Sequence, residues 1–318
     1  MILSTLALLA LSLSQYTDKC TVAFAGDMMQ HKAQILSAFR DSVSYRYDDC
    51  FRHVKPEISK ASLAICNLEA PLGGSPYTGY PTFSAPDEFA EAIADAGFDI
   101  MLTANNHCMD KGNRGLIRTL DVLDSLRILH LGTYRNKEER DTLHPLIVSV
   151  NSFRLALLNY TYDTNGFEVT PPCIVNLIDT VQMAADLEKA RSKRPDCIIV
   201  CIHWGEEYHL EQNAGQERLA RWLVDNGADH VIGSHPHVIQ PTTLINDQYS
   251  ETVKHIVAYS QGNFISNMSA PGTDSGTFIE LSLTKIARTT WLSNFDVKTV
   301  RTLRPAQTGN PYYQVVFE

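Results

Sequence analysis

Short apolar runs alternate along most of this chain with segments in which apolar residues recur every three or four positions. The runs predict buried strands and the longer periodicity predicts amphipathic helices. The predicted strands are residues 21–25, 63–66, 100–103, 128–131, 197–202, 230–232 and 256–259. The predicted helices are residues 47–61, 87–96, 116–126, 180–193 and 216–226.

Strands without intervening helices dominate the last part of the sequence. Residues 146–150 and 154–158 predict a hairpin around Asn151-Ser152, and residues 277–283, 299–303 and 312–317 predict three further strands. Alternation followed by a series of strands is typical of an α/β sandwich with mixed sheets. Because no linker interrupts the pattern, we expect one domain over residues 15–318.

The first residues differ from the rest of the chain. Residues 1–14 carry no charge, and residues 2–13 form an apolar run that is too short to span a bilayer but suits the core of a signal peptide. Ser12 and Ser14 are small residues at the positions that a signal peptidase reads. The basic leader residue is missing, and a buried N-terminal helix is the alternative. We expect residues 1–14 to be a signal peptide, and the protein to act in the periplasm or cell envelope rather than in the cytoplasm.

Composition excludes one class of partner. The 318 residues are 44% hydrophobic and 20% charged, as in a globular protein with a full core. The net charge is −9, so no basic field exists to neutralise the phosphates of a nucleic acid. The cysteines number seven, and several lie within apolar runs, which favours buried thiols over a disulfide framework.

Metal-type ligands follow several of the predicted strands, where α/β sheets gather their functional groups. The most specific motif is His235-Pro236-His237, since two imidazoles two residues apart at a strand's end can point into one cleft. A divalent metal needs three or four convergent N or O ligands. The candidate ligands and their neighbour are Asp27, Glu69, Asn106, His107, His203, His235 and His237.

Two neighbouring cations would need a shared carboxylate, which Glu69 or Asp27 could supply. Such a pair can bind both the attacking hydroxide and the substrate oxygen in an in-line displacement. A single metal could instead lower the pKa of a bound water toward neutrality.

Taken together, the motifs resemble those of the CapA family, the capsule or poly-γ-glutamate synthesis proteins. That family is similar to the calcineurin-like metallophosphoesterase superfamily, which implies a sandwich of two mixed β-sheets flanked by helices. The resemblance covers about residues 20–285, with Gln261 where the family usually has Leu. The matching stretches are Gly26-Asp27, Asn67-Leu68-Glu69, Ala104-Asn105-Asn106-His107 with Asp110 and Gly112, His203-Trp204-Gly205 with Glu207-Tyr208, Gly227-Ala228-Asp229, residues 233–241 and residues 259–264.

The resemblance implies a role for each candidate. Asp27 and His237 would bind a first metal, Glu69 would bridge, and Asn106, His203 and His235 would bind a second. His107 would be the general acid for the leaving oxygen or would stabilise charge on it. The cofactor would be one or two divalent ions of manganese, iron or zinc.

One position departs from the superfamily pattern. Metallophosphoesterases commonly begin with Asp-x-His, and here the third position is Met29. The first metal would then keep only Asp27, Glu69 and His237, and would be weak, completed by solvent or absent. His31 is a possible substitute, although its place at a helix start favours an uninvolved surface residue.

Two functions are compatible with these observations. The first is a metal-dependent hydrolase acting on a phosphoester, or on an amide or ester of an envelope polymer. The second is a non-catalytic assembly factor for poly-γ-glutamate capsule synthesis or export, with capsule-synthesis membrane proteins as partners. The incomplete first metal site favours the assembly factor, and the retained His107 favours the hydrolase.

Overall fold

The computed structural model describes residues 17–41, 43–250 and 253–318, so the predicted signal peptide lies outside the described residues. The strands are β1 (Thr17–Met28), β2 (Phe39–Arg40), β3 (Ser44–Tyr45), β4 (Leu63–Leu68), β5 (Ile100–Leu102), β6 (Leu129–Leu131), β7 (Thr133–Tyr134), β8 (Leu146–Val150), β9 (Phe153–Thr161), β10 (Ile174–Val175), β11 (Cys197–His203), β12 (His230–Ser234), β13 (Thr242–Asn246), β14 (Lys254–Ala258), β15 (Asn263–Ile265), β16 (Ser275–Ile286), β17 (Thr289–Leu303) and β18 (Gln314–Phe317). The helices are α1 (Lys32–Ala38), α2 (Asp48–Phe51), α3 (Lys55–Ile58), α4 (Asp87–Asp95), α5 (Gly112–Ser125), α6 (Lys137–Leu143), α7 (Thr180–Ser192), α8 (Ala214–Asp225) and α9 (Pro305–Thr308).

The first large sheet has eight strands in the order β18-β17-β16-β1-β4-β5-β6, with β15 also paired to β1. Strands β1, β4, β5 and β6 run parallel to one another. Strand β16 pairs antiparallel to β1, from Thr17 opposite Ile286 to Ala25 opposite Phe278. This pairing brings the first strand together with a strand from the last part of the chain and makes the sheet mixed.

The second large sheet has six strands in the order β13-β14-β12-β11-β9-β8. Its central strands β9, β11, β12 and β14 are parallel, and the edge strands β8 and β13 are antiparallel to their neighbours. The inner strand Cys197–His203 is buried throughout, as parallel strands covered on both faces usually are.

The two sheets pack face to face between outer helices. One apolar core contains residues of both sheets, such as Phe24 and Ile65 from the first and Leu157 and Ile199 from the second. Helices α2 to α4 pack on the outer face of the first sheet, and α7 and α8 on the outer face of the second. The layers therefore follow the order helix, sheet, sheet, helix, which confirms the predicted sandwich of two mixed sheets flanked by helices.

One predicted helix is wrong. Residues 47–61 form two short helices, α2 and α3, separated by a turn. Pro56 lies in the first turn of α3, where it has no N–H to donate to the carbonyl of Arg52. The apolar side chains Phe51, Val54 and Ile58 are nevertheless all buried, as the periodicity predicted.

The predicted state of the cysteines is confirmed, since all seven are buried and free. Within the described part of the chain, no helix combines the length and the apolar character that a membrane span requires.

Candidate metal centre

Strand β1 and strand β4 carry the two acidic candidates to one edge of the first sheet. Asp27 is the next-to-last residue of β1, and Glu69 directly follows β4. Both are fully buried. Asn67 links them, because its Nδ2 donates to Asp27 Oδ1 at 2.7 Å and lies 3.3 Å from Glu69 Oε2. The carboxylates therefore share one amide donor in a site closed to bulk water.

The opposite sheet supplies the first imidazole. His203 is the last residue of β11, and its Nε2 lies 3.5 Å from Glu69 Oε1. The same nitrogen lies 3.0 Å from Asn106 Oδ1, while Nδ1 lies 3.0 Å from Ser234 Oγ. Asn106 belongs to the loop between β5 and α5. Side chains from the carboxyl ends of both sheets therefore converge, as expected of α/β folds.

The His-Pro-His motif follows β12 in an unusual backbone conformation. His235 has a φ of 102° and His237 a φ of 59°, values that non-glycine residues rarely adopt. His235 N donates to Asp27 Oδ2 at 3.3 Å, and His237 Nδ1 lies 3.4 Å from the same oxygen and 3.0 Å from Asn263 Oδ1. Strained backbone of this kind clusters at functional sites, where the surrounding structure holds it in place.

Two buried atoms of this cluster lack the hydrogen-bond partners that buried polar groups normally have. Glu69 Oε1 and His235 Nδ1 have no hydrogen-bond partner. The ligand atoms of Asp27, Glu69 and His203 lie within 4.8 Å of one another, as do those of Glu69, His235 and His237. Carboxylate and imidazole ligands suit manganese, iron or zinc. The residues therefore fit one or two divalent cations, and Glu69 is common to both groups.

Electrostatics also favour a cation. Burial raises the pKa of Glu69 well above its usual range, and the neighbouring Asp27 carboxylate adds to this effect. Burial lowers the pKa of His203 well below its usual range and that of His235 to about 3, with the other histidines contributing. Burial is the largest effect on His237 and opposes its protonation, but Asp27, Glu207 and Asn263 together outweigh it and raise the pKa of His237. The neutral imidazoles of His203 and His235 beside two crowded carboxyl groups leave the site short of positive charge.

His107 lies beside the cluster and outside both ligand groups. Its Nδ1 lies 2.8 Å from Asp110 Oδ2, which also accepts a hydrogen bond from Phe83 N at 2.6 Å. The imidazole packs edge-on against the Phe83 ring, with centroids 4.6 Å apart. An imidazole whose Nδ1–H points to a carboxylate keeps Nε2 free to face a substrate.

Met29 and His31 occupy the region where the superfamily pattern has a further ligand. Met29 is buried, and its carbonyl accepts from the side-chain amides of Gln30 and Gln34. His31 Nδ1 lies 3.3 Å from Asn267 N and 3.2 Å from Gln34 Oε1. Burial lowers the pKa of His31 to about 4. Within the described ranges, His31 belongs to neither ligand group.

The structure brings every sequence-predicted site residue to this one edge. Asp27, Glu69, His203, His235 and His237 form the ligand groups, Asn106 contacts His203, and His107 lies alongside. In this geometry Asp27 groups with His203, and His235 with His237, whereas the resemblance pairs Asp27 with His237 and His203 with His235. The assignment of each ligand to a particular metal, and of the general acid, stays a prediction.

Sequence reasoning gave no role to several residues that organise the site. Asn67 could have been found, because residues two apart on a strand point to the same side and Asn67 precedes Glu69 by two. Asp110 could have been found as a carboxylate three residues beyond His107. Tyr162 and Asn165 follow β9, and no sequence signal places that loop beside Asn106.

Two of the solved structures that superpose on this chain are described as a phosphoesterase and a phosphatase. The chain superposes on the calcineurin-like phosphoesterase YfkN from Bacillus subtilis with a TM-score of 0.52 and 12% identity, over 89% of this chain and 90% of that one. It superposes on a structure described as a novel phosphatase from Mycoplasma pneumoniae with a TM-score of 0.50 and 13% identity, over 89% and 94% of the two chains. At these identities the likeness shows the fold alone, which is that of the calcineurin-like phosphoesterases.

Sequence relatives connect the chain with capsule synthesis. It is 28% identical over 285 residues to the capsule biosynthesis protein CapA of Bacillus anthracis, covering 84% of this chain and 64% of that protein. It is 25% identical over 282 residues to the PGA biosynthesis protein CapA of Bacillus subtilis strain 168, covering 84% and 69%. The chain thus spans just under two thirds of the first relative's length.

The sequence profile of the bacterial capsule synthesis proteins named PGA_cap matches residues 21–268. That range contains most of β1, all of β2 to β15, both ligand groups and His107. The chain therefore belongs to the bacterial capsule synthesis protein PGA_cap family and has a calcineurin-like phosphoesterase fold.

Proposed function

We propose that this protein is a metal-dependent hydrolase of a phosphoester, or of an amide or ester bond in a cell-envelope polymer. The observation that carries the proposal is Glu69, a buried carboxylate whose Oε1 has no hydrogen-bond partner and lies within reach of both His203 and His237. Burying such a group costs several kcal/mol, on the order of the penalties known for buried ions, unless a cation compensates it.

The residues divide into those that hold a cation and those that handle protons. Asp27, Glu69, His203, His235 and His237 would hold one or two divalent ions, with Asn106 as an amide ligand. A bound divalent ion supplies a Lewis acid for the substrate oxygen and makes water a nucleophile at neutral pH. His107 Nε2 would protonate the leaving oxygen, and Asp110 would stabilise the imidazolium and fix its orientation.

The rim of the cleft is aromatic and acidic. The Tyr162 ring lies 4.5 Å from that of His235 and is 42% exposed, and the Tyr208 ring lies 6.3 Å from that of His237. Burial is the main cause that raises the pKa of Glu69, Tyr162 and Tyr208, and the charge of Glu207 adds to the effect on all three. For an anionic substrate, attraction to this cleft would depend on bound cations.

A non-catalytic role in capsule assembly is the second candidate, and Met29 favours it. A buried thioether stands where many metallophosphoesterases have a histidine ligand. The first metal, for which Asp27, Glu69 and His237 remain as ligands, would then bind weakly, as expected of a protein that no longer carries out catalysis. In this role the cleft would bind polymer or orient a partner protein without bond cleavage.

We propose the same cellular context for both candidates. The uncharged apolar run at residues 2–13 supports export to the periplasm or cell envelope. The relatives named for capsule and PGA biosynthesis support an envelope polymer as ligand and capsule-synthesis membrane proteins as partners.

Purified protein loaded with manganese and assayed on a generic phosphodiester tests the enzymatic proposal. We expect wild type to bind manganese and hydrolyse the substrate. His107→Asn should lower kcat by about 10²–10⁴-fold, the usual contribution of a positioned acid or base. Asparagine retains an amide near Nδ1 that can donate to Asp110, so the fold and metal content should stay close to wild type.

His53→Asn provides the matched control, because His53 is exposed and distant in sequence from every ligand. Its kcat should equal that of wild type. Undiminished hydrolysis by His107→Asn would contradict the role of His107. If metal-loaded wild type cleaves no phosphoester, peptide or γ-glutamyl substrate, the assembly role becomes the better account.

A further inference from the structure

We infer that Asn165 is a positioning residue that holds the Asn106 amide with its oxygen toward the metal ligands. This inference rests on the proposed metal-dependent function. Asn165 lies in the loop after β9, on the second sheet, whereas Asn106 follows β5 of the first sheet. The contact therefore bridges the two halves of the site.

A tight turn presents Asn165 to the site. Phe167 N donates to Thr164 O at 3.0 Å, and the Thr164 hydroxyl donates to Phe167 O at 2.7 Å. The central residues Asn165 and Gly166 have φ values of 52° and 73°. Positive φ at both central positions is typical of a type I′ turn, for which Asn-Gly is a preferred sequence. The backbone conformation alone explains why asparagine is tolerated here, but not where its side chain points.

The side chain of Asn165 accepts a hydrogen bond from Asn106. Asn106 Nδ2 donates to Asn165 Oδ1 at 3.2 Å, and Asn106 Oδ1 lies 3.0 Å from His203 Nε2. The oxygen and nitrogen of an amide have nearly the same shape, so its neighbours decide which atom faces which way. An acceptor placed at Nδ2 keeps the oxygen, the only atom of this amide that binds a cation, on the His203 side.

Asn165 also approaches the predicted acid. Asn165 Nδ2 lies 3.4 Å from His107 Nδ1, but Asp110 Oδ2 lies only 2.8 Å from that nitrogen. The Nδ1 proton is therefore held by Asp110, and Asn165 acts mainly through Asn106. Groups that orient metal ligands in this way typically contribute about 10- to 100-fold to metal affinity.

Manganese binding to purified, chelator-treated protein tests the inference, with isothermal titration calorimetry as the readout. Asn165→Gly removes the side chain but allows positive φ, so the turn should persist. Asn165→Asp keeps an oxygen acceptor and also tolerates this conformation. We expect Asn165→Gly to weaken manganese binding by about 10- to 100-fold. The manganese affinity of Asn165→Asp should lie within about threefold of that of wild type.

Asn151→Gly is the matched control. Asn151 also has a positive φ, of 51°, and its turn precedes β9 at the strand's opposite end, where its Nδ2 donates to Lys19 O. Its manganese affinity should equal that of wild type. Unfolding of each variant in chelator separates loss of a metal-orienting contact from loss of structure.

Each outcome is distinct. Unchanged affinity in Asn165→Gly, while wild type binds manganese, would overturn the inference and leave the proposed function intact. Equal losses in Asn165→Gly and Asn165→Asp would overturn it as well, because the acceptor oxygen would then not matter. Wild type that binds no manganese, zinc or iron would remove both the inference and the proposed function.

Discussion

At Glu69 the requirements of stability and of the proposed metal binding conflict. Its carboxylate is fully buried, lies close to that of Asp27, and has one oxygen without a hydrogen bond. A side chain selected for stability alone would not be ionisable. Buried groups that are costly in the free protein are typical of sites built to bind a ligand.

Glu69→Gln should therefore separate the effect of this side chain on stability from its effect on metal binding. Glutamine has the same size and cannot ionise, whereas burial and Asp27 disfavour the ionised form of Glu69 that the unfolded chain adopts at neutral pH. Metal-free protein should therefore be at least as stable as wild type, by a gain on the order of 1 kcal/mol. Manganese at 100 times its Kd should stabilise wild type by about 2.7 kcal/mol, and should have little effect on the variant. Urea unfolding with and without manganese measures both quantities.

Glu217→Gln serves as the control, because Glu217 is exposed on α8 and its replacement should change stability by less than about 0.5 kcal/mol. A marked loss of stability in metal-free Glu69→Gln would show that the carboxylate itself supports the fold. A full manganese response in that variant would show that Glu69 is not a ligand.

At this scale the sequence was informative about residue types and less so about their partners. Carboxylates and imidazoles after apolar runs predicted a metal centre, and Glu69 indeed lies in both ligand groups. Asn67 and Asn263 lie within the recognised motifs, but the sequence does not show that they contact Asp27 and His237. Asn165, which accepts a hydrogen bond from Asn106, lies outside those motifs. Such contacts depend on packing between segments far apart in the chain.

At the scale of elements, close approach of two backbone segments positions Asp27. A Cβ on Gly26 would lie 2.0 Å from the carbonyl oxygen of Gly262, and Asp27 N donates to that same oxygen at 3.0 Å. Asn263, the next residue, places its side-chain oxygen Oδ1, a hydrogen-bond acceptor, 3.0 Å from His237 Nδ1. The glycine thus lets β1 and the β15 segment meet directly behind the ligands.

Gly26→Ala should force these segments apart. We expect a loss of about 1–3 kcal/mol in the free energy of unfolding, the usual cost of overpacking, together with weaker manganese binding. Denaturant unfolding and calorimetric titration measure the two effects. Wild-type stability in this variant would show that the segments can separate freely, and that their contact does not fix Asp27.

Strands and helices were predicted correctly where burial alone determines the structure. The prediction failed where a proline interrupts the backbone hydrogen bonding of a helix. The apolar strands at residues 63–66 and 197–202 were found because they are buried on both faces. Helix 47–61 kept its apolar face but was broken, since Pro56 cannot complete the hydrogen bonding of a continuous helix. Strand β17 extends well beyond the predicted residues 299–303, because its first half is largely exposed and carries little periodic signal.

At the scale of the whole molecule, long-range pairing could not be predicted. The sequence indicated a sandwich of mixed sheets, but not that β16 would pair along β1 across most of the chain. That pairing encloses a core between the sheets, and several ionisable groups are buried with it. The stability of the molecule should therefore depend on pH through groups remote from the metal centre.

His230 is one such group, at the start of β12. It is buried, and its Nδ1 accepts a hydrogen bond from Ile256 N at 3.2 Å. Burial, with a smaller effect of His255, lowers the pKa of His230 to about 3. Between its unfolded pKa, near 6.5, and this value, the unfolded chain binds a proton that the folded protein does not, so stability falls as the pH falls.

His230→Asn should reduce this pH dependence, because the asparagine oxygen can replace Nδ1 as an acceptor without titrating. Between pH 7 and pH 5.5, the variant should lose about 1.4 kcal/mol less stability than wild type, equivalent to one pKa unit. Ile232→Val, a small deletion from the same strand, should cost about 0.5–1.5 kcal/mol equally at both pH values. Urea unfolding in chelator at the two pH values measures this difference. Parallel losses in wild type and His230→Asn would mean that His230 is protonated in the folded protein, and that another buried group limits stability in acid.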